Sequence, residues 1–92
     1  MDRTSEEAHV LYVLECADGS YYAGYTNRLE HRVKAHNDGR GAKYTRSRRP
    51  VRCIFHETFG TKREAMQAEY AFKQLRREQK TAYMDQKGGC DR

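Results

Sequence analysis

Two tyrosines, an arginine, a histidine and a glutamate carry the chemistry this chain could perform. Arg32 and His36 are one helical turn apart. At about 100° per residue, with Leu29 at zero, Val33 falls near 40°, Arg32 near 300° and His36 near 340°. Both polar groups therefore share the apolar arc of a helix, while Arg28, Glu30, His31 and Lys34 point elsewhere. A guanidinium on that arc is costly unless an anion meets it, either a carboxylate of the chain or a substrate phosphate. His31 and His36 are about 140° apart, so they do not form the i,i+4 metal pair of the zinc proteases. On a later helix, with Ala65 at zero, Glu69 falls near 40°, beside Ala65 and Phe72. It reads as a metal ligand, an acid or base, or the partner of a cation. Lys73, four residues on, offers an ordinary surface pair worth about 0.2–0.5 kcal/mol. Tyr12 and Tyr22 add two phenols, which at a pKa near 10 are poor bases unless cations or a metal-bound water assist. An arginine to oppose phosphate charge and a glutamate for one divalent metal complete a set suited to phosphodiester hydrolysis. No Ser-His or Cys-His arrangement and no phosphate-cradling glycine loop is signalled.

Whether the two phenols act together depends on a turn. His9–Cys16 is nearly all apolar, β-branched or aromatic, and reads as a strand covered on both faces. Ser20–Tyr25 is the return strand. A two-residue Asp18-Gly19 loop sends Tyr12 and Tyr22 to opposite faces. A three-residue Ala17-Asp18-Gly19 loop with Gly19 left-handed sets Tyr22 opposite Leu14 and puts both phenols on one face. The x-Asp-Gly order favours the three-residue loop, and that is the expectation here. Asn27-x-x-Glu30 resembles a capping box opening a helix that ends at Asp38-Gly39. A basic loop follows, Pro50 introduces a strand from Val51 to Phe59, and Thr61-x-x-Glu64 opens one long helix to about Tyr83. The order β-β-α-loop-β-α predicts an α+β domain, with a small, largely antiparallel three-stranded sheet flanked by helices. Residues 1–8 are expected to be a disordered leader, 9–83 the domain and 84–92 a flexible tail.

At 92 residues the chain is a single domain that buries only about 60–65% of its unfolded surface. Apolar residues are 37% of it, so the seven Tyr and three Phe must fill much of a thin core. No apolar run approaches the roughly 18–20 residues of a membrane span, and the N-terminus is polar; a soluble, cytoplasmic protein is expected. The three cysteines form no C-x-x-C, so Cys16 and Cys53 are expected as buried thiols and Cys90 as a tail thiol. The net charge of +5 is uneven. Between Arg28 and Arg52, nine basic residues face two acids, a segment charge of +7 that leaves −2 for the rest. Its densest part, Gly39 to Pro50, offers Arg40, Lys43, Arg46, Arg48 and Arg49 to phosphates and Tyr44 as an aromatic face for a base.

The order and spacing of these residues resemble a known family. Val10-Leu11-Tyr12, ten residues ahead of Tyr22-Ala23-Gly24, followed by Arg32-x-x-x-His36 and a late Glu69, is similar to the GIY-YIG nuclease domain across residues 9–83. The run Gly41 to Pro50 further resembles small single-domain bacterial members. The resemblance implies metal-dependent endonuclease cleavage of DNA by water, in repair or recombination-type processing of duplex, nicked or branched substrates. It implies that Tyr12 and Tyr22 activate or position the nucleophile, Arg32 stabilises the transition-state phosphate, His36 assists, and Glu69 binds one Mg²⁺ or Mn²⁺. The chain departs from the pattern at Val10, where the first triplet has Gly, and lacks the Asn many members carry after the Glu. Many relatives attach a separate DNA-binding domain, so a homodimer or a helper protein is expected here. The alternative is a nucleic-acid-binding module of the same fold with little or no cleavage.

Overall fold

A computed structural model of the chain describes residues 8–87. The leader up to residue 7, the last residues from 88 and Cys90 lie outside the described residues. Strand β1 (His9–Glu15) and strand β2 (Tyr21–Thr26) form a hairpin, followed by helix α1 (Leu29–Asn37), a single helical turn α2 (Lys43–Arg46) and strand β3 (Arg52–Phe59). Helices α3 (Lys62–Lys73) and α4 (Arg77–Lys87) close the fold. The sheet is fully antiparallel in the order β2-β1-β3, so the most apolar strand is the central one. Leu11, Val13 and Leu14 are completely buried there. Burying each such side chain stabilises by about 1.5–3 kcal/mol.

The hairpin closes through Ala17-Asp18-Gly19, as the x-Asp-Gly order predicts. Gly19 N–H donates to Cys16 O at 2.8 Å, Gly19 has φ +86°, and Tyr22 pairs with Leu14. That register puts alternate residues of β1 into two cores. Leu11 and Val13 join Ala23, Phe55, Phe72 and Met84 on one face; Val10, Tyr12 and Leu14 join Cys16 and Val51 on the other. Between β1 and β3 the register shifts at Val13/Leu14, because Val13 opposes Phe55 while Leu14 opposes Cys53. The extra residue, Ile54, therefore packs on the same face as Phe55.

Three local expectations are corrected. Helix α1 starts at Leu29 after Arg28, with no side-chain cap from Asn27; instead Thr26 Oγ1 accepts from Arg28 N at 3.1 Å. Its C-terminus is as expected: Gly39 has φ +83°, Gly39 N donates to His36 O and Arg40 N to Ala35 O, the paired bonds of a Schellman end. The basic loop holds the helical turn α2, whose Thr45 N–H and Arg46 N–H both reach Ala42 O at 3.2 Å. The long final helix is two helices. Gln74 ends α3, Arg76 precedes the first residue of α4, and the Gln79 side chain accepts from Arg76 N at 2.8 Å, the returning half of a capping box. The bend turns Leu75, Tyr83 and Met84 back onto the Phe72 side of the sheet. Helix α4 continues through residues 84–87, which composition alone assigns to the tail. Among the described residues, no helix is long and apolar enough to cross a membrane. Cys16 is buried as expected, whereas Cys53 is only half-buried, its Sγ donating to Phe55 O at 3.4 Å.

Candidate active site

The site begins on β1. Tyr12 pairs with Gly24 of β2 and lies 1% exposed on the α1 face of the sheet. A Cβ at position 24 would sit 2.5 Å from the Tyr12 hydroxyl, so the glycine is what lets the ring lie flat across its partner strand. From α1, completely buried His36 brings Nε2 to 2.9 Å from Tyr12 Oη, and Arg32 Nε donates to the same oxygen at 3.5 Å. The Arg32–His36 spacing puts both side chains on one inward face, as the helical wheel predicts, and the fold brings that face onto a single phenol. Tyr22 lies half-buried beside them, its ring centroid 6.5 Å from Tyr12 and 5.3 Å from His36.

The far side of His36 rests on the basic segment. Thr45 of α2, also completely buried, brings Oγ1 to 2.8 Å from His36 Nδ1. The same hydroxyl donates to Ala42 O at 3.0 Å, and Ala42 N lies 3.4 Å from Nδ1. A Cβ on Gly41 would run into the His36 ring. Neither Thr45 nor Gly41 is signalled by spacing in the sequence. Thr45 sits in a run that reads as solvated basic loop, and Gly41 resembles one more loop glycine. Asn37 is also silent in sequence, yet its amide brackets Val51, accepting from Val51 N at 2.8 Å and donating to Val51 O at 2.9 Å. That clamp ties the end of α1 to the start of β3.

Glu69 on α3 is mostly buried and pairs with Lys73, the i+4 partner anticipated from spacing, at 3.0 Å through Oε2. Lys73 Nζ also lies 5.8 Å from the Tyr22 ring centroid, so this ion pair borders the phenols from α3. Arg32 and Glu69 are not brought into contact. Among the described residues no carboxylate lies within ion-pair distance of Arg32, whose one hydrogen-bond partner is Tyr12. Nor do three His, Cys, Asp or Glu side chains gather into a metal cluster among these residues.

Burial sets the protonation states. It pushes the Tyr12 phenol up to about 12, with Arg32 pulling the other way and nearby Tyr22 and Glu69 adding to the rise. Burial first, and then the Arg32 charge, hold His36 below its usual value. At neutral pH the pair is therefore a neutral phenol against a neutral imidazole. An imidazole lone pair facing a phenol O–H can take its proton only when something stabilises the resulting phenolate, and Arg32 is placed to do so.

The six residues expected to grip nucleic acid divide. Arg40 pairs with Asp38 at 3.0 Å. Arg48 pairs with Asp18 at 3.1 Å, donates to Tyr44 O at 2.8 Å and lies 3.9 Å above the Tyr44 ring. Arg49 reaches Arg46 O and Asn37 O. These three guanidiniums tie the segment to the hairpin loop and to α1. Tyr44 stacks on Tyr22 at 5.9 Å, so its ring extends the aromatic wall of the site. Lys43 and Arg46 are exposed, and no side-chain hydrogen bond or ion pair within the described residues engages either.

Residues 8–82 match the family described as the GIY-YIG catalytic domain. The UPF0213 protein YazA of Bacillus subtilis is 63% identical over 79 residues, covering 86% of this chain and 80% of that protein. A UPF0213 protein of Bacillus licheniformis is 61% identical over 80 residues, covering 87% and 82%. Two solution NMR structures share the fold. The UPF0213 protein BH0048 of Bacillus halodurans is 47% identical at a TM-score of 0.59, covering 88% of this chain and 86% of that one. EF2693 of E. faecalis is 51% identical at 0.61, covering 86% and 84%.

Proposed function

The chain belongs to the GIY-YIG catalytic domain family, and from that premise we propose that it is a DNA endonuclease in which Tyr12, Tyr22, Arg32, His36 and Glu69 form the active site. The observation that carries this reading is Arg32. Its guanidinium is half-buried against the buried Tyr12–His36 pair and meets no carboxylate of the described chain. A cation so placed is compensated when a phosphate docks, with N–H donors beyond the one on Tyr12 left for its oxygens.

In the reaction a water oxygen bonds to phosphorus and the bond from phosphorus to the leaving sugar oxygen breaks. The water proton passes to Tyr12 Oη as the phenol proton passes to His36 Nε2. The proton held on His36 Nε2 then returns to Tyr12 Oη as the phenol releases its own to solvent, and the departing oxygen takes one up. Tyr12, rather than Tyr22, is the base in this scheme because it is the phenol hydrogen-bonded to His36. Tyr22, half-buried against the same imidazole, positions the water. Arg32 opposes the charge that grows on the phosphate oxygens. Glu69 would hold one divalent cation: Oε1 has no protein partner among the described residues, and a lone carboxylate suits Mg²⁺ or Mn²⁺, which take further ligands from water and phosphate. Such an ion supplies Lewis-acid stabilisation of the phosphate and its leaving oxygen. Nicked and branched duplexes of the repair and recombination class are the proposed substrates.

The test incubates nicked, branched and single-stranded DNA with the wild type, Arg32→Ala and Glu69→Ala, in Mg²⁺ or Mn²⁺. Wild type is expected to cleave, and each variant to lose about 100–1,000-fold in rate while keeping its fold. Equal trace cleavage by all three proteins would leave a DNA-binding module of the same fold.

A further inference from the structure

Proton bookkeeping at His36 singles out a residue outside the five. Tyr12 is buried, and its hydroxyl proton needs an acceptor. Among the described residues two groups approach Oη, Arg32 Nε and His36 Nε2, and a guanidinium nitrogen cannot accept. So Nε2 must be bare and the imidazole proton must sit on Nδ1. The closer of the two hydrogen-bonding groups at Nδ1 is Thr45 Oγ1, at 2.8 Å, and that hydroxyl has its own acceptor in Ala42 O at 3.0 Å. One directed chain then satisfies every member: Tyr12 O–H to Nε2, Nδ1–H to Thr45 Oγ1, and Thr45 O–H to a backbone carbonyl. In the opposite tautomer Nε2–H donates to Tyr12 Oη and Nδ1 accepts from Ala42 N–H at 3.4 Å or from the Thr45 hydroxyl, but the Tyr12 proton is left without an acceptor among the described residues.

We propose that Thr45 is a positioning residue, whose hydroxyl accepts the Nδ1 proton of His36 and fixes the imidazole in the tautomer that presents Nε2 as the acceptor for Tyr12. Thr45 touches neither phenol nor phosphate; it acts through His36. Both side chains are completely buried, and Gly41 leaves no room for a Cβ beside the ring, so bulk solvent does not reach the place of the hydroxyl. This proposal rests on the nuclease reading for its consequence, the readiness of Tyr12 to act as base, but not for the tautomer itself.

The test reads the two separately. Long-range ¹H–¹⁵N spectra of the wild type at neutral pH report which ring nitrogen of His36 carries the proton. The expected pattern is Nδ1–H; a protonated, donating Nε2 overturns the proposal without any variant. Thr45→Val keeps the shape and removes the hydroxyl, and it is expected to shift His36 toward the Nε2–H form. Thr45→Ser is expected to restore Nδ1–H. In cleavage assays Thr45→Val should lose about 10–100-fold in kcat with KM nearly unchanged, and Thr45→Ser should recover most of it, the size usual for residues that orient a working imidazole. An unchanged Nδ1–H tautomer in Thr45→Val overturns the proposal. A tautomer shift as expected, in a protein whose wild type cleaves no DNA, supports Thr45 and rejects the nuclease reading instead.

Discussion

Tyr12 and His36 hold each other in place at the cost of burying both, and the environment around them has little slack. Two glycines show how little. Gly24 and Gly41 face the Tyr12 hydroxyl and the His36 ring, so an alanine at either site must push a buried aromatic group aside. Overpacking of this kind costs about 1–3 kcal/mol. Gly41→Ala is therefore expected to lower the urea midpoint and the cleavage rate together; a variant as stable and as active as wild type would show that the ring has room to move. The depressed affinity of His36 for protons has a second consequence. Its folded value lies below its unfolded value near 6.5. The unfolded chain therefore binds more protons once the pH falls below about 6.5, and stability contributed by the neutral imidazole is lost as pH drops toward the folded value. Melting temperature is expected to fall between about pH 7 and pH 5, and to fall less in His36→Gln. An equal fall in both proteins would remove His36 as the cause. Asp18 and Asp38, both held low by their hydrogen-bonding neighbours, lose their contribution only in the lower, carboxylate range.

At the scale of elements, the caps decide where helices begin, and only some announce themselves. Thr61 does so: its hydroxyl accepts from Glu64 N at 3.1 Å, as the Thr-x-x-Glu pattern predicts. Thr61→Ala is expected to destabilise the protein by about 0.5–2 kcal/mol, read as a lower denaturation midpoint at unchanged slope. A change under a few tenths would mean the end of α3 is held by packing alone. Asn27 shows the opposite case. Its spacing to Glu30 matches a capping box, yet the chain enters α1 through Thr26, because β2 runs to Thr26 and fixes where the helix can start. The break between α3 and α4 leaves even less trace. Arg76-x-x-Gln79 has only the returning half of a capping box, and the apolar stripe through Ala68, Phe72 and Leu75 continues smoothly toward Tyr83. The reason for the turn lies elsewhere: Tyr83 donates to Glu57 on β3 at 2.6 Å and Met84 enters the sheet core, neither of which a straight helix would reach.

Over the whole molecule, the +7 segment is less uniform than its charge. Arg48, stacked on Tyr44 and paired with Asp18, joins the hairpin loop to α2; Lys43 and Arg46 reach solvent without such partners among the described residues. If the segment grips duplex DNA, Lys43→Ala and Arg46→Ala are each expected to flatten the slope of log K against log salt by about 0.9, with little change in melting temperature. Arg48→Ala should instead lower the melting temperature. A slope unmoved by either of the first two substitutions would take them out of the interface. The sequence alone determined the sheet and its hairpin register, because alternating burial and the φ > 0 demand at Gly19 are local constraints that one strand pair satisfies in one way. It also placed Arg32 and His36 on one helical face, since a spacing of four residues is geometry rather than context. The tertiary structure alone decided what that face meets. Thr45, Gly41 and Asn37 carry no periodicity, lie at or beyond the end of α1, and act only once the chain folds back onto β1 and β3. The same holds for Arg32, where local sequence left a carboxylate and a phosphate equally open as partners. Only the arrangement of the described elements shows that the described residues bring it no carboxylate, because an ion pair is settled by distance in space and not by separation along the chain.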